Sequence, residues 1–145
     1  MVCDWLSKLL GEAAPVPPYD FSAFAEAEAE KVGCVVVYPE PNQLQIDLDS
    51  EDAFIQHEKR LKELYQRTAH PAYQLACDPV VTPSKSGYPH RHITLTFTSN
   101  VFTEWERIGM QMMLGSDPVR ETLNALRLAC GVEKPCRLFE PKERA

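Results

Sequence analysis

Two short stretches of this chain put ionisable side chains where they could act together. In Leu44-Gln45-Ile46-Asp47-Leu48-Asp49, alternation along a strand sends Leu44, Ile46 and Leu48 to one face and Gln45, Asp47 and Asp49 to the other. In the run from His90 to Phe97, the same rule sends Ile93, Leu95 and Phe97 into a core and leaves His90, His92, Thr94 and Thr96 on the opposite face. If the two polar faces coincide, two carboxylates and two imidazoles converge. That set suits divalent-metal binding and proton transfer in phosphoryl chemistry. The preceding loop, Pro83 to Pro89, holds Ser84, Lys85, Ser86 and Gly87, and Arg91 follows it. Hydroxyls, an ammonium and backbone amides there suit an anion better than they suit packing.

Each of these residues also has a plainer reading. Asp49 or Ser50 can cap the following helix while Asp47 is merely solvated. The two histidines can be surface residues that happen to alternate. Asp117 followed by Pro118 is an N-cap and first-turn pair. The facing of Cys136-Arg137-Leu138-Phe139-Glu140 is open: burying Phe139 exposes Glu140, whereas burying Leu138 hides it and exposes Arg137.

The elements that must position these groups follow from periodicity. Residues 1–32 read as an N-terminal helical arm: a short apolar helix near Cys3 to Leu10, the break Pro15-Val16-Pro17-Pro18, then Phe21 to Lys31 with alternating Ala and Glu. Residues 33–145 read as one domain. Cys34 to Tyr38 is a β-branched run, and Pro39-Glu40-Pro41-Asn42 turns it into the Leu44 strand, so a hairpin is expected. Ser50 to Arg67 has Phe54, Leu61, Leu64 and Tyr65 at helical spacing, with Glu51 and Asp52 in its first turn. A strand is expected over Ala72 to Val81 and another from His90. Thr103-Glu104-Trp105-Glu106 is a capping box opening a helix that ends at Gly115, with Trp105, Met110, Met112 and Met113 as its packing surface. The next helix, from Asp117, is expected to bury Val119, Leu123 and Leu126 and to end at Gly131. A short strand closes the chain.

Apart from the arm and the extra hairpin strand, that order is the ferredoxin-like, RRM-like βαββαβ unit of the α+β class, with helices on one face of its sheet. In this unit the Asp47 and His92 strands are central neighbours, the last strand lies beside the first, and the other face is free for chemistry.

Bulk properties narrow the function classes. At 145 residues and 44% hydrophobic, the chain can bury one real core. No apolar run approaches the roughly 20 residues that span a bilayer, and the N-terminus lacks a basic-then-apolar leader pattern, so a soluble cytoplasmic protein without membrane contact is expected. Five cysteines with no CxxC pair fit neither a disulfide framework nor a zinc knuckle, and buried reduced thiols are expected. Residues 1–52 carry eleven acids against two bases, a balance of −9, and residues 53–145 carry ten against thirteen, a balance of +3. Nucleic-acid contact therefore needs a local patch, for which Lys85, Arg91, Lys134, Arg137 and Lys142 are candidates. The acidic arm suits a basic protein partner.

On the residues quoted above, the chain resembles the archaeo-eukaryotic primase superfamily, whose catalytic core is an RRM-like palm. Leu44 to Asp49 is similar to that family's apolar run leading to Asp-x-Asp, and Ser86-Gly87 with His90 or His92 is similar to its serine–histidine loop and strand. Glu140 is the best-placed match to its third acid, with Asp117 second. The resemblance covers roughly residues 33–140. It implies divalent metal (Mg or Mn) held by Asp47 and Asp49, a catalytic set of Asp47, Asp49, His90, His92 and Glu140, and nucleotide phosphate held by Ser84, Lys85, Ser86, Gly87 and Arg91. Nucleoside triphosphate and DNA or RNA are the implied partners, in replication or repair, and the chain's size suits a minimal form such as a phage or mobile element carries. Pro89-His90-Arg91-His92-Ile93 also resembles the His-hydrophobic-His motif of single-strand nucleases, but Arg91 sits where an apolar residue belongs and no tyrosine follows Tyr88. A third reading is a non-catalytic RRM-like module for nucleic acid or a protein.

Overall fold

The structure, a computed structural model, describes residues 21–67 and 74–142. The expected Cys3–Leu10 helix, the proline break and the start of the Ala72 strand lie outside them. The described residues form α1 (Phe21–Lys31), β1 (Cys34–Val37), β2 (Gln43–Leu48), α2 (Glu51–Arg67), β3 (Val80–Pro83), β4 (Arg91–Thr96), α3 (Glu104–Met113), α4 (Pro118–Ala129) and β5 (Leu138–Pro141). The class is α+β with two small antiparallel sheets, one ordered β2-β4-β3 and the other pairing β1 with β5. No helix of the described residues is long and apolar enough to cross a membrane.

Strand alternation builds the core as expected. Leu44, Ile46 and Leu48 of β2 and Ile93, Leu95 and Phe97 of and beyond β4 are buried on one face, where Leu61, Phe54 and Leu64 of α2 cover them. Phe102 closes this layer edge-to-face against Phe97, with ring centroids 5.3 Å apart. Ser50, rather than Asp49, caps α2, its Oγ accepting from the Ala53 amide at 3.1 Å. The expected capping box opens α3 at Thr103, and Asp117 caps α4 with Pro118 behind it. Gly115, at φ +94°, makes the left-handed turn that ends α3 and delivers Ser116 and Asp117 to β2.

The second sheet departs from the expected hairpin. β1 pairs with β5, Val35 opposite Glu140 and Val37 opposite Leu138, and not with β2. The reason lies at the outer edge of β2, which side chains already occupy. Arg107 Nε donates to the Gln43 carbonyl (2.9 Å), the Gln45 amide donates to Gln111 Oε1 (2.8 Å) and Arg120 Nη1 donates to the Gln45 carbonyl (2.8 Å). The Asp47 amide donates to Ser116 Oγ (3.0 Å), and its carbonyl accepts from the Asp117 amide (2.8 Å). This ladder from α3 and α4 satisfies the groups a neighbouring strand would have bonded. Arg107 also holds the Glu40 and Pro41 carbonyls, both at 3.0 Å, which steers the chain away between β1 and β2.

The ladder inverts the expected face of α4. Glu121 and Asn124 point inward and are buried, while Val119, Leu123 and Leu126 are exposed. Glu121 binds Arg120 (2.6 Å), Ser116 (3.0 Å) and Gln111 (2.9 Å), so one carboxylate orients three of the side chains that bond β2. Burying a carboxylate is tolerable only with such pairing. In α3, Arg107, Ile108 and Gln111 face inward, and Trp105, Met112 and Met113, expected to pack, are exposed.

The polar face of the three-stranded sheet is covered, not open. Gln45 Nε2 donates to the Val37 carbonyl (3.1 Å) and Thr82 Oγ1 donates to Glu140 Oε1 (3.2 Å), so the β1–β5 pair lies over this face. The arm helix α1 packs on β1 through Ala25 and Ala29, and Lys142 ties Glu30 to the end of β5 at 2.7 Å. Of the described cysteines, Cys34 and Cys136 are buried, whereas Cys77 and Cys130 are exposed.

Candidate functional site

β2 and β4 are antiparallel neighbours in a register that sets Asp47 opposite His92, with Thr82 of β3 on the other side of His92. Asp47, His92 and Thr82 thus form one row on the polar face. His92 Nε2 stands 3.6 Å from Asp47 Oδ1, a close contact but longer than a hydrogen bond. One pleat further on, past the end of β2 and just before β4, His90 Nδ1 lies 3.2 Å from Asp49 Oδ1. The four residues singled out in the sequence therefore share one face as two Asp–His rungs.

The rungs differ in burial. His92 is buried and Asp47 largely so, whereas Asp49 and His90 face solvent. Desolvation pushes the Asp47 carboxyl up to about 6; Asp49 and Asp117 push the same way, and Arg120 and His90 offset part of it. Burial holds His92 below the ordinary imidazole range, Arg120 adds to that, and Glu140 and Asp49 oppose it. Glu140, on β5, thus acts on His92 through space while hydrogen-bonded to Thr82. The inner rung is a carboxyl that titrates at about 6 beside an imidazole held neutral, a pair able to hold or pass one proton.

A cleft of about 400 Å³ opens at the Asp47 end of this row. Its lining includes Asp47, His92 and Asp117, the basic Lys85, Arg120, Arg127 and Arg137, and the apolar Val32, Val119, Leu123, Leu138 and Phe139. Asp49, His90 and Glu140 lie outside its lining, as do Ser86, Gly87 and Arg91. Arg91 faces the helical side, where it pairs with Glu51 and stacks on Phe54 at 3.9 Å. The Ser84–Gly87 loop uses its own amides: Gly87 N donates to the Ser84 carbonyl (2.9 Å), Ser86 N to Ser84 Oγ (3.4 Å) and Ser84 N to the His90 carbonyl (3.3 Å). Of the loop residues expected to hold phosphate, Ser84 and Lys85 line the cleft.

Arg120 and Arg127 are the site residues that sequence reasoning missed. They lie seven residues apart on α4, and assigning that helix an apolar inner face hid them. Among the described residues, no three His, Cys, Asp or Glu side chains converge as a metal-binding group. Comparison with protein-family models, with curated proteins and with solved structures finds no match to this chain.

Proposed function

We propose that this protein is a small primase-like nucleotide-binding protein, dependent on a divalent metal and performing nucleotidyl transfer in nucleic-acid replication or repair. One observation carries the reading: Asp47 stands opposite His92 on adjacent strands, and Asp49 meets His90 just beyond the ends of those strands, beside a cleft with a basic wall. The strand order β2-β4-β3, with one helix between β2 and β3, supports three strands of an RRM-like palm; the fourth, β5, pairs with β1 instead of lying beside β2, which leaves β2 at the sheet edge rather than at its centre.

Mg²⁺ characteristically takes one or two carboxylates plus substrate phosphate oxygens rather than an all-protein cage, so Asp47 and Asp49 suffice as the protein's share. Bound there, the ion would supply charge neutralisation at the reacting phosphate. The chain's own residues do the rest. His92 stays neutral beside the two carboxylates, where it can hold or pass a proton, and the basic wall orients the anionic part of the ligand.

The test is incorporation of a labelled nucleotide onto a primed template with Mg²⁺ or Mn²⁺. Activity in the wild type and its loss in Asp47→Asn with Asp49→Asn is the expected result. Nucleotide binding without incorporation would favour the second reading, a non-catalytic RRM-like module, which the pairing of each carboxylate with its own imidazole also supports. The His-x-His nuclease fits less well, because each imidazole has a separate carboxylate and every tyrosine precedes His92.

A further inference from the structure

The basic wall of the cleft is built from groups the Asp–His rungs do not use. Arg120 is about nine-tenths buried and fixed by Gln45, Glu121 and the Arg137 carbonyl (3.2 Å), and its buried Nε has no partner in the fold. Arg127 donates from Nη1 to Asn124 Oδ1 (3.1 Å) and, among the described residues, meets no carboxylate. The Arg137 side chain and Lys85 likewise have no carboxylate partner among those residues. Burial opposes the ionisation of Arg127, and the charges of Arg137 and Arg120 add to that. Arg120 has the Glu121 carboxylate, but Arg127 and Arg137 have none among the described residues; holding those two beside it raises the energy of the free protein, and an anion relieves it.

We propose that Arg127 and Arg137, backed by the fixed charge of Arg120 and faced by Lys85, form a clamp for the linked phosphates of a nucleoside di- or triphosphate. This inference rests on the nucleotide reading above and says where in the cleft the phosphates lie: against α4 and β5, not in the Ser84–Gly87 turn. Three arguments favour that ligand. Two guanidinium forks and an ammonium exceed what one phosphate needs, whereas contiguous phosphates match them. A cleft of about 400 Å³ is the size of a small-molecule pocket. A net charge of −6 works against a long polyanion such as a nucleic-acid backbone.

The experiment is calorimetric titration at low salt with tripolyphosphate, orthophosphate, a nucleoside triphosphate and a single-stranded oligonucleotide. Wild type should bind tripolyphosphate more tightly than orthophosphate. Arg127→Ala and Arg137→Ala should each weaken tripolyphosphate and the nucleotide by roughly tenfold to a hundredfold, the scale of one charge-assisted hydrogen bond. Lys134→Ala, outside this cleft, should change nothing. Lys85→Ala, on an exposed turn, gives the same reading if an arginine variant melts early. Equal affinities in the wild type and the variants, or no tripolyphosphate binding by wild type, would overturn the clamp. So would oligonucleotide binding that alone depends on Arg127 and Arg137. Arginine-dependent nucleotide binding with no incorporation would uphold the clamp while removing nucleotidyl transfer.

Discussion

Asp47 and His92 face each other across β2 and β4 with 3.6 Å between carboxylate and imidazole, and burial drives both toward their neutral forms. A pair chosen for stability would be pushed toward opposite charges. This one stores a cost, which makes it measurable.

The first prediction is that cost. The folded Asp47 carboxyl, at about 6, keeps a proton that the unfolded chain releases near 4, so the native state binds more protons between those values. Its contribution therefore falls as pH rises from about 4 to 6, by up to about 3 kcal/mol. His92 and His57 act the other way: both are held neutral, so the unfolded chain binds more protons below about 6.5 and stability drops on acidification. Asp47→Asn should raise stability at pH 8 by about 1–3 kcal/mol and steepen the loss below pH 6. Urea unfolding across this range measures both, and a variant less stable than wild type at pH 8 would refute the assignment.

Metal binding should follow the same ionisation. Mn²⁺ is expected to raise the melting temperature at pH 7.5, with the shift fading as Asp47 protonates below about 6. Asp47→Asn with Asp49→Asn should abolish it. A shift that persists in that double variant would put the ion elsewhere.

Arg91→Ala should separate fold from site. Arg91 pairs with Glu51 and stacks on Phe54 on the helical side, outside the cleft. The substitution is expected to cost about 1 kcal/mol in stability and to leave tripolyphosphate affinity unchanged by calorimetry. Reduced affinity at unchanged stability would return Arg91 to the phosphate site.

Ser116→Ala tests the ladder. It leaves the Asp47 amide without its acceptor and removes one partner of buried Glu121. A loss of about 1–3 kcal/mol is expected in chemical denaturation. A neutral effect would mean that β2 does not depend on those side chains.

Local pattern made part of this legible. Period-two alternation placed Leu44 to Leu48 and Ile93 to Phe97 on the core side, and cap chemistry located Thr103 and Asp117, because each is set within a few residues of chain. The face of α4 was hidden for a physical reason. Its apolar residues outnumber its inward ones, yet the unbonded edge of β2 demands hydrogen-bonding groups, and Arg120 answers that demand together with Ser116 and Gln111, all three oriented by Glu121. The pairing of β1 with β5 joins residues about a hundred positions apart, and no neighbouring residue records it. Arg120 and Arg127 were missed with the helix that carries them, whereas Lys85 and Arg137 stood among the basic candidates.

The ladder along β2 also governs how this protein can meet copies of itself. A strand edge invites another chain to extend the sheet, and proteins guard against that. Here β2 is bonded along both sides, so among the described residues the free edge of the larger sheet is β3, a strand of four residues that ends in Pro83 and exposes Val80 and Val81. Proline cannot donate to an incoming strand. Substitutions that dismantle the ladder therefore threaten more than folding stability: they uncover a six-residue strand, rich in leucine and isoleucine, as a template for aggregation.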